Sequence, residues 1–314
     1  MRRCVDSLLK QDIDPAQYEI ILVNDGSPDD SLQIAEQYAA EYPQIKVLSQ
    51  TNRGASGARN TGIKSAKGEY LCFCDPDDYV EPNTTKMLVE RMDDDKLDML
   101  RFRYKSVDEN YQVLDRQNRQ PINPSWGIMS GHDYLSKRLD GSCFIWTWCY
   151  RTEIIKNNEL YCSEGVYYDD TDWLPKVLLH AQRVATIDQQ RQYYLIRTDS
   201  LVNTKSPKMI ESKVKGAMQM FEILNKDKHG VDREVESWYD RMIIMLSLST
   251  LTTIAVSFYP QINECIKAMK PLGCFNVKSP LHQYSNKRKV QLKLLLMRIS
   301  PKLYAFVLHA VNKK

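Results

Sequence analysis

Three aspartates lie within four residues of one another, directly after a short apolar run. Residues 70–74 have the aromatic and aliphatic content of a buried strand, and Asp75, Asp77 and Asp78 follow them. Carboxylates this close repel one another unless a cation lies between them. Their hard oxygen atoms suit Mg²⁺ or Mn²⁺, which commonly also hold substrate phosphates. The alternative is the N-terminal cap of a helix that begins near Pro82.

A fourth aspartate ends another predicted strand. Residues 19–24 form an apolar run that stops at Asp25, before a Gly-Ser-Pro turn and a helix that opens near Asp29. An acid just past a parallel strand is well placed to accept hydrogen bonds from the base or ribose of a nucleotide. Many α/β proteins share this pattern, so the hypothesis depends on the segments that accompany it.

A glycine-rich segment, residues 51–62, supplies fixed positive charge. Arg53 and Arg59 would contact a base edge or phosphates, while the glycines allow the backbone to approach a ligand closely. The alternative is a turn with solvated arginines. The segment lacks the GxxxxGK[ST] pattern of a phosphate loop, and no such pattern occurs elsewhere in the sequence.

These segments, in this order, resemble the motifs of the family-two inverting glycosyltransferases. The matching stretches are Asn-Asp-Gly-Ser at 24–27, Asn-Arg-Gly to Ala-Arg-Asn-Thr-Gly at 52–62, Asp-Pro-Asp-Asp-Tyr at 75–79, Gly-Val-Tyr-Tyr-Asp-Asp-Thr-Asp-Trp at 165–173 and Tyr-Tyr-Leu-Ile-Arg-Thr-Asp-Ser at 193–200. The resemblance therefore covers residues 2–200. It implies an α/β fold of the GT-A type, with a mixed, mainly parallel sheet that binds a nucleotide.

The resemblance implies a role for each matching residue. It assigns the binding of a nucleotide-sugar donor to Asp25, Arg53, Arg59, Asp75 and Asp78. It assigns to Asp77 the divalent metal, Mn²⁺ or Mg²⁺, that bridges the diphosphate of the donor. Such a metal neutralises the charge that develops on a nucleoside diphosphate leaving group.

The resemblance assigns catalysis to Asp170 and its neighbour Asp169. Asp170 would be the general base that takes a proton from the acceptor hydroxyl during attack on the anomeric carbon. A single displacement inverts that carbon and needs no covalent protein nucleophile. Asp169 stands in the place of the family's glutamate and would raise the proton affinity of Asp170 by like-charge repulsion. The alternative is an acidic first turn of a helix.

Three tryptophans accompany the predicted base. Trp146 and Trp148 lie within the aromatic residues 144–151, and Trp173 follows Asp170 by three positions. Aromatic faces stack on sugars, so these residues are predicted on the acceptor side. Burial in the core is the alternative, and it is the more common role of such residues.

The elements that must position these residues alternate along the first 105 residues. Helices are predicted at residues 29–42 and 82–95, and further strands at 46–49 and 97–103. Residues 106–135 are polar and rich in turns, which predicts a loop beside the acceptor. The predicted domains are a glycosyltransferase domain at 1–200 and a helical, basic extension at 201–314.

The resemblance also predicts a strand that the sequence does not contain. Family members begin with a buried strand, whereas this chain starts at Met1, inside the helix that follows it. In the GT-A fold that strand lies between the strands predicted at residues 19–24 and 70–74. Both strands are therefore expected to have an edge without a partner. We expect that the start of the sequence is clipped or misplaced, in preference to the alternative that the protein is an inactive copy of the enzyme.

The composition describes an ordered protein with free thiols. The 314 residues are 43% hydrophobic and 26% charged, which excludes a disordered chain. The eight cysteines form no CxxC pair and no signal peptide opens the sequence, so a reducing cytoplasm is expected. No GxGxxG follows a predicted strand, which argues against a dinucleotide oxidoreductase.

Charge is distributed unevenly along the chain. Residues 1–200 carry 24 Lys and Arg against 32 Asp and Glu, whereas residues 201–314 carry 19 against 8. Apolar and basic residues are mixed over residues 287–311, which indicates a helix lying on an anionic membrane surface. A solvated basic face and a helix packed on the catalytic domain are the alternatives. Nucleic acid is not an expected partner, because no reader motif accompanies the charge.

Residues 242–259 carry no charge over eighteen positions. The stretch is long enough to span a membrane, but its six Ser and Thr residues favour a buried helix of a C-terminal bundle. We therefore expect a cytoplasmic protein that is peripheral at the inner face of the cell membrane.

These features predict a metal-dependent inverting glycosyltransferase. It would move a sugar from a nucleotide sugar, expected to be a UDP-sugar, to a glycan or lipid-linked glycan in surface polysaccharide synthesis. A non-catalytic pseudoenzyme or membrane-associated scaffold is the non-enzymatic alternative. A sugar nucleotidyltransferase is a third hypothesis, but its N-terminal glycine-rich, arginine-containing phosphate loop is not found.

Overall fold

The computed structural model describes residues 1–114, 122–197, 207–257, 259–276 and 288–312. The chain divides into two compact units. The first comprises Met1–Gly165 and Asp169–Asn203, and the second comprises Val166–Tyr168 and Thr204–Lys314. Part of the predicted 106–135 loop, residues 115–121, and the end of the Tyr-x-x-Arg tail, residues 198–200, lie outside the described residues.

Helices and strands alternate along the first unit. Its helices are α1 (Arg2–Leu9), α2 (Ser31–Glu41), α3 (Gly54–Ser65), α4 (Thr85–Asp94), α5 (Gly131–Lys137), α6 (Thr152–Asn157) and α7 (Asp169–His180). Its strands are β1 (Ile20–Asn24), β2 (Ile45–Ser49), β3 (Tyr70–Cys72), β4 (Tyr79–Val80), β5 (Met99–Val107), β6 (Trp148–Arg151) and β7 (Val184–Leu195). All the predicted site residues belong to this unit.

The first sheet has two parallel strands, β1 and β2, whose paired positions begin at Ile20 and Ile45. Both strands are rich in Ile, Leu and Val, and the helix α2 connects them, as a parallel pair requires. Ile20 and Ile45 pack with Val5 of α1 in a small buried core. This packing fixes β1, whose carboxyl end delivers Asp25.

The second sheet has five strands in the order β3-β6-β5-β7-β4. The ladder between β5 and β7 is parallel and long, whereas β3–β6, β5–β6 and β4–β7 are short antiparallel ladders. Leu88 and Met92 of α4 pack with Leu100 and Phe102 of β5 in the core on this sheet. The architecture is thus α/β and mixed, and its two longest ladders are parallel, as expected.

Four of the described strands lie at sheet edges and pair on one side alone: β1, β2, β3 and β4. β1 pairs with β2 alone, and β3 pairs with β6 alone. The prediction that these two strands would each have an unpaired edge is confirmed. The described strands of the first unit thus form two separate sheets.

Two predicted boundaries are wrong. The strand predicted at residues 70–74 ends at Cys72, because the chain there leaves β6 for the turn that carries the aspartates. The predicted 106–135 loop contains the end of β5 and the start of α5. The Ser130 hydroxyl caps α5 by accepting a hydrogen bond of 3.1 Å from the N–H of Asp133. This capping signal was present in the sequence.

The second unit is helical within the residues that the structure describes. Its helices are α8 (Pro207–Asp227), α9 (Arg233–Ser257), α10 (Ile262–Met269), α11 (Arg288–Ile299) and α12 (Pro301–Asn312). The central helix α9 contacts α8, α10 and α12 and buries Trp238, Tyr239 and Leu251. Among the described helices α9 alone is long and apolar enough to cross a membrane, but half of its apolar window is buried inside the fold. Such burial is typical of a core helix.

Gly131 tests the packing of α5 against α7. A methyl group at this position would collide with the carbonyl of Leu178 and lie 2.9 Å from the carbonyl oxygen of Ala181. We expect Gly131→Ala to lower the free energy of unfolding by about 3 kcal/mol, because neither backbone group can move without shifting α7. Urea unfolding measures the change.

Gly62→Ala is the matched control, because its added methyl group would meet only the Val23 side chain, at 3.9 Å. This variant should be as stable as the original or more stable by about 0.5 kcal/mol, since alanine favours a helix over glycine. A Gly131→Ala protein that unfolds at the same urea concentration as Gly62→Ala would show that the described packing is wrong.

Candidate active site

The loop between β3 and β4, which we call the acidic loop, carries the three clustered aspartates. Asp78 is buried, with 1% of its surface exposed, and its Oδ1 accepts a hydrogen bond of 2.9 Å from the N–H of Leu195 on β7. Its second oxygen, Oδ2, is also buried and has no hydrogen-bond partner within the part of the chain that the structure describes. The N–H of Asp78 in turn donates to the carbonyl of Asp75 at 3.0 Å, which closes the turn.

Burial and mutual repulsion favour the protonated form of two of these carboxyls. Burial raises the pKa of Asp78 to about 8, and the charges of Asp75 and Asp77 add to the effect against the hydrogen bond from Leu195. Burial also raises the pKa of Asp75, an effect that Arg59 opposes and Asp77 increases. A further positive charge between these two carboxyls would stabilise their ionised forms.

The acidic loop fits a hard divalent cation. Its donors are carboxylate oxygens alone, and the buried, unpartnered Oδ2 of Asp78 is an atom that a cation would satisfy. Asp77 is half-buried and lies 3.4 Å, through its Oδ2, from a guanidinium nitrogen of Arg197. The guanidinium of Arg197 therefore already lies beside the residue predicted to hold the metal.

Arg59 of α3 joins the acidic loop to the start of α7. Its guanidinium lies 3.4 Å from Oδ1 of Asp75, 2.7 Å from Oδ2 of Asp169 and 3.5 Å from Oδ1 of Asp170. Burial alone would lower the pKa of Arg59, but the three carboxylates outweigh it and raise the pKa further above its ordinary value. The residue predicted to contact the nucleotide thus also assembles the predicted catalytic and donor-binding acids.

The two predicted catalytic aspartates open α7. Acids in the first turn of a helix are stabilised by the partial positive charge of the backbone N–H groups there. Oδ2 of Asp169 accepts a hydrogen bond of 2.8 Å from the hydroxyl of Ser56 in addition to its contact with Arg59. Two side chains of α3 therefore bind the same oxygen of Asp169.

Asp170 has the pKa of a group that titrates near neutral pH. Burial raises its pKa to about 7; the charge of Arg59 and the backbone N–H of Ile145 lower it, while Asp169 and Asp75 raise it. The sequence predicted the repulsion from Asp169, which contributes in the expected direction. Burial, which only the folded chain supplies, is the larger cause.

Asp25 lies at the end of β1 and organises the start of α3. Its Oδ1 accepts hydrogen bonds from the side-chain amide of Gln50 at 2.7 Å and from the N–H of Arg53 at 2.8 Å. Gly26 has a φ of +68°, and a Cβ there would lie 3.1 Å from the backbone nitrogen of Asn52. The glycine therefore permits the close approach of the two loops.

Arg53 and Arg59 lie on the same helix, with Arg53 at its N-cap. Six residues of α-helix separate them by about 9 Å along the helix axis. The side chain of Arg53 is bound by Glu164, through Nε to Oε2 at 2.9 Å and through a second nitrogen to Oε1. One helix thus connects the predicted nucleotide end of the site with the predicted catalytic end.

Sequence reasoning missed three residues that position the site: Ser56, Asn60 and Glu164. The buried side chain of Asn60 donates to the carbonyl of Cys162 at 2.9 Å and accepts from the N–H of Cys162 at 2.8 Å. It also donates to Oε1 of Glu164 at 3.1 Å. Asn60 lies inside a recognised motif, which was the available signal; its partners lie a hundred residues away and could not be read from the sequence.

The prediction that the tryptophans line the acceptor side is wrong for Trp148 and Trp173. Both side chains are fully buried and present no face to a sugar. The indole N–H of Trp173 donates to the carbonyl of Leu160 at 2.9 Å, and its ring meets Phe73 and Tyr150 edge-on. These residues belong to the core.

Trp146 is also buried, because its ring lies between two others. It stacks on Phe144 with a centroid distance of 5.4 Å and on Tyr194 with a centroid distance of 5.4 Å. The prediction of an acceptor-side Trp146 is corrected in the same way. The end ring of this stack, Phe144, is 37% exposed and precedes Ile145, whose N–H faces Asp170.

Comparison with known proteins assigns the first 153 residues to a family. Residues 1–153 match the family described as glycosyl transferase family 2. Residues 1–153 are a glycosyl transferase family 2 domain. The Asp25, Arg53, Arg59 and acidic-loop segments all lie within this domain, and the resemblance predicted from the motifs is confirmed.

Two curated relatives of the family 2 domain show how much of the chain is shared. The uncharacterized glycosyltransferase YibD of Escherichia coli (strain K12) is 33% identical over 205 residues, which cover 63% of this chain and 58% of YibD. The poly(ribitol-phosphate) beta-N-acetylglucosaminyltransferase TarS of Staphylococcus aureus (strain Mu50) is 28% identical over 198 residues, which cover 62% of this chain and 33% of TarS. The chain thus spans less than two thirds of the length of these relatives.

A solved structure shows the fold of the family 2 domain. The crystal structure of S. aureus TarS 1–349 in complex with UDP-GlcNAc aligns with 99% of this chain and 87% of the TarS chain, with a TM-score of 0.65 and 20% identity. The predicted GT-A fold is confirmed.

Arg59 is the residue whose removal should disturb the family 2 site most. In Arg59→Gln, three neighbouring carboxylates lose the cation between them, and we expect the free energy of unfolding to fall by roughly 3 kcal/mol at pH 7. The loss should be smaller at pH 5, because the raised pKa of Asp170 leaves that group protonated there. Urea unfolding at both pH values measures the difference.

Arg53→Gln is the matched control, since Arg53 and Glu164 form a solvent-exposed pair whose attraction is screened by water. Its loss of stability should be much smaller and nearly independent of pH. Equal losses in the two variants at pH 7 would mean that Arg59 does not hold the three carboxylates together.

Proposed function

We propose that this protein transfers a sugar from a UDP-sugar to a hydroxyl of a glycan or lipid-linked glycan, with inversion at the anomeric carbon. The observation that carries the proposal is the bridge formed by Arg59. It brings an acidic loop suited to a metal-bound diphosphate, at Asp75, close to a carboxyl that titrates near neutral pH, Asp170. A glycosyl transfer needs both groups around one anomeric carbon.

Asp170 is the proposed general base. A carboxylate whose pKa is about 7 is a stronger base than an ordinary aspartate, and about half of it is still ionised at neutral pH. The acceptor hydroxyl would pass its proton to Asp170 while its oxygen forms a bond to the anomeric carbon. The bond from that carbon to the diphosphate oxygen breaks, and UDP leaves with the electron pair.

Asp77 is the proposed main ligand of Mn²⁺ or Mg²⁺, and Asp75 and Asp78 would support it. The metal would act as a Lewis acid that neutralises charge on the departing diphosphate. Arg197 faces Asp77 at 3.4 Å and would offer a further positive group to the same phosphates. Arg59 keeps the acidic loop in place while it remains paired with Asp169.

Asp25 is proposed to hold the uracil or ribose of the donor, with Arg53 beside it. The hydrogen bonds from Gln50 and from the N–H of Arg53 fix the orientation of the Asp25 carboxylate before a ligand arrives. The UDP-GlcNAc in the TarS structure supports a uridine nucleotide, since TarS 1–349 shares this fold.

The acceptor is proposed to be a glycan, in the synthesis of a surface polysaccharide. The name of TarS states a poly(ribitol-phosphate) acceptor, which supports a polymer of that general kind. The exposed ring of Phe144, next to the residue that faces Asp170, is where an acceptor sugar would find an apolar surface to stack on.

Asp170→Asn should abolish transfer and leave donor binding intact. We expect kcat/KM to fall by about 10³-fold, because the amide cannot accept the proton. In the unaltered protein kcat/KM should rise with pH and level off above about 7, as the Asp170 carboxylate becomes ionised. A radiochemical transfer assay with UDP-sugars measures both effects.

Asp188→Asn is the control, because this aspartate is exposed and pairs with Arg103, which is not one of the proposed site residues. It should retain activity and the same pH profile. An Asp170→Asn protein that binds UDP and still transfers sugar would remove Asp170 as the base. A folded, UDP-binding wild type without transfer to any glycan acceptor would favour the non-catalytic alternative.

Nucleotide binding should depend on a divalent metal through Asp77. In calorimetric titrations of UDP into the full chain, we expect Mn²⁺ to strengthen binding and Asp77→Ala to remove that increase, since a metal needs its carboxylate ligand. Asp188→Ala should respond to Mn²⁺ like the unaltered protein. Binding of UDP that is equally strong with and without Mn²⁺ would argue against a metal site. Tighter binding of GDP than of UDP would show that the donor nucleotide carries guanine instead of uracil.

A further inference from the structure

Two consecutive helices of the second unit leave large apolar side chains in solvent. On α12 these residues follow one another at helical spacing and share one face: Leu303, Phe306, Val307 and Val311. On α11 the same spacing joins Leu292, Leu295 and Ile299. Between 37% and 66% of each of these residues is exposed. We call these seven residues the α11–α12 surface.

The opposite face of α12 is packed against the rest of the second unit, so the exposed residues are not the face with which α12 joins the core. Tyr304 and Ala305 are buried. The hydroxyl of Tyr304 lies 2.6 Å from that of Thr252 on α9, and Nδ1 of His309 lies 3.1 Å from the carbonyl oxygen of Ala255 on the same helix. The exposed apolar face of α12 therefore points away from α9.

Positive charge accompanies the apolar surface. The cations on these two helices are Arg288, Lys289, Lys293, Arg298 and Lys302. No acidic residue occurs from residue 265 to the last residue of the sequence. Exposed apolar patches with this composition are uncommon on proteins that stay free in water and are typical of helices that lie in the headgroup region of a bilayer.

We propose that the α11–α12 surface docks on a lipid bilayer that contains anionic lipids. The apolar side chains would enter the boundary between headgroups and acyl chains, and the cations would meet the lipid phosphates. The charge decides between a membrane and a second copy of the chain. Two copies joined through this surface would bring like charges together, whereas an anionic bilayer neutralises them.

This docking would make the protein peripheral, at the inner face of the cell membrane. The inference rests on the exposure and charge of α11 and α12 alone. It therefore does not depend on the transfer reaction proposed for the family 2 domain, and a failure of one leaves the other intact.

Vesicle sedimentation of the full chain tests the docking. One set of vesicles contains phosphatidylglycerol and phosphatidylcholine in equal parts, and the other contains phosphatidylcholine alone. We expect binding to the anionic vesicles to be stronger by on the order of tenfold or more, and to weaken as salt is added, because five cations contribute. Equal binding to both kinds of vesicle, or no binding to either, overturns the proposal.

The double variant Leu303→Asp, Phe306→Asp tests the apolar part of the surface. Both positions are already exposed, so the fold should tolerate the change, which the thermal unfolding of the variant checks. Affinity for anionic vesicles should fall on the order of tenfold or more, since apolar area is replaced by negative charge. Val113→Asp, at a 59% exposed valine of the first unit, is the control and should bind normally.

Phe306→Trp supplies a readout that does not depend on the loss of binding. Its fluorescence should be quenched by lipids brominated on their acyl chains, whereas Val113→Trp should show no added quenching. Self-association would overturn the proposal. It would be shown if the original protein does not bind vesicles but forms a concentration-dependent dimer in light scattering, and if Phe306→Asp abolishes that dimer.

Discussion

The ion pairs of Arg59 with three carboxylates are the interaction on which the candidate site depends. Asp75, Asp169 and Asp170 would repel one another at this distance without a cation between them. The next residue along α3, Asn60, binds both backbone groups of Cys162 and so fixes the segment that leads to α7. One helix thus supplies the charge that gathers the acids and the amide that holds their element in place.

Burial of these acids has two opposite consequences. It raises the pKa of Asp170 to about 7 and that of Asp78 to about 8. An acid whose pKa is higher in the folded chain stabilises the fold fully below its unfolded pKa and loses this contribution as the pH rises through the folded pKa. Near neutral pH the ionised carboxyls of the site therefore lower the free energy of unfolding. The ionised form of Asp170 is nevertheless the form that can accept a proton. The hydrophobic cores of the two sheets must offset that cost.

The aromatic residues act on the site from within the core. Trp173 belongs to α7, and its contacts with Phe73 and Tyr150 set the orientation of the helix that begins with the catalytic aspartates. Trp146 and Tyr194 stack on each other, and each is the chain neighbour of a backbone N–H that acts on a site acid: that of Ile145 on Asp170 and that of Leu195 on Asp78. Trp146 and Trp173 were predicted on the acceptor side, but their rings pack beside the groups that shift the pKa values of the acids.

The sequence by itself determined the local elements and the residue types at their ends. The apolar runs before Asp25 and Asp75 predicted strands, and the ordered motifs predicted the family, because both depend on neighbours along the chain. The structure alone decided that Arg59 pairs with Asp169 and that Arg53 pairs with Glu164. It also decided that the tryptophans are buried, and that the apolar residues of α12 near Phe306 face solvent. Charge pairing, burial and the choice of packed helix face arise between residues far apart in the chain, and no local pattern specifies them.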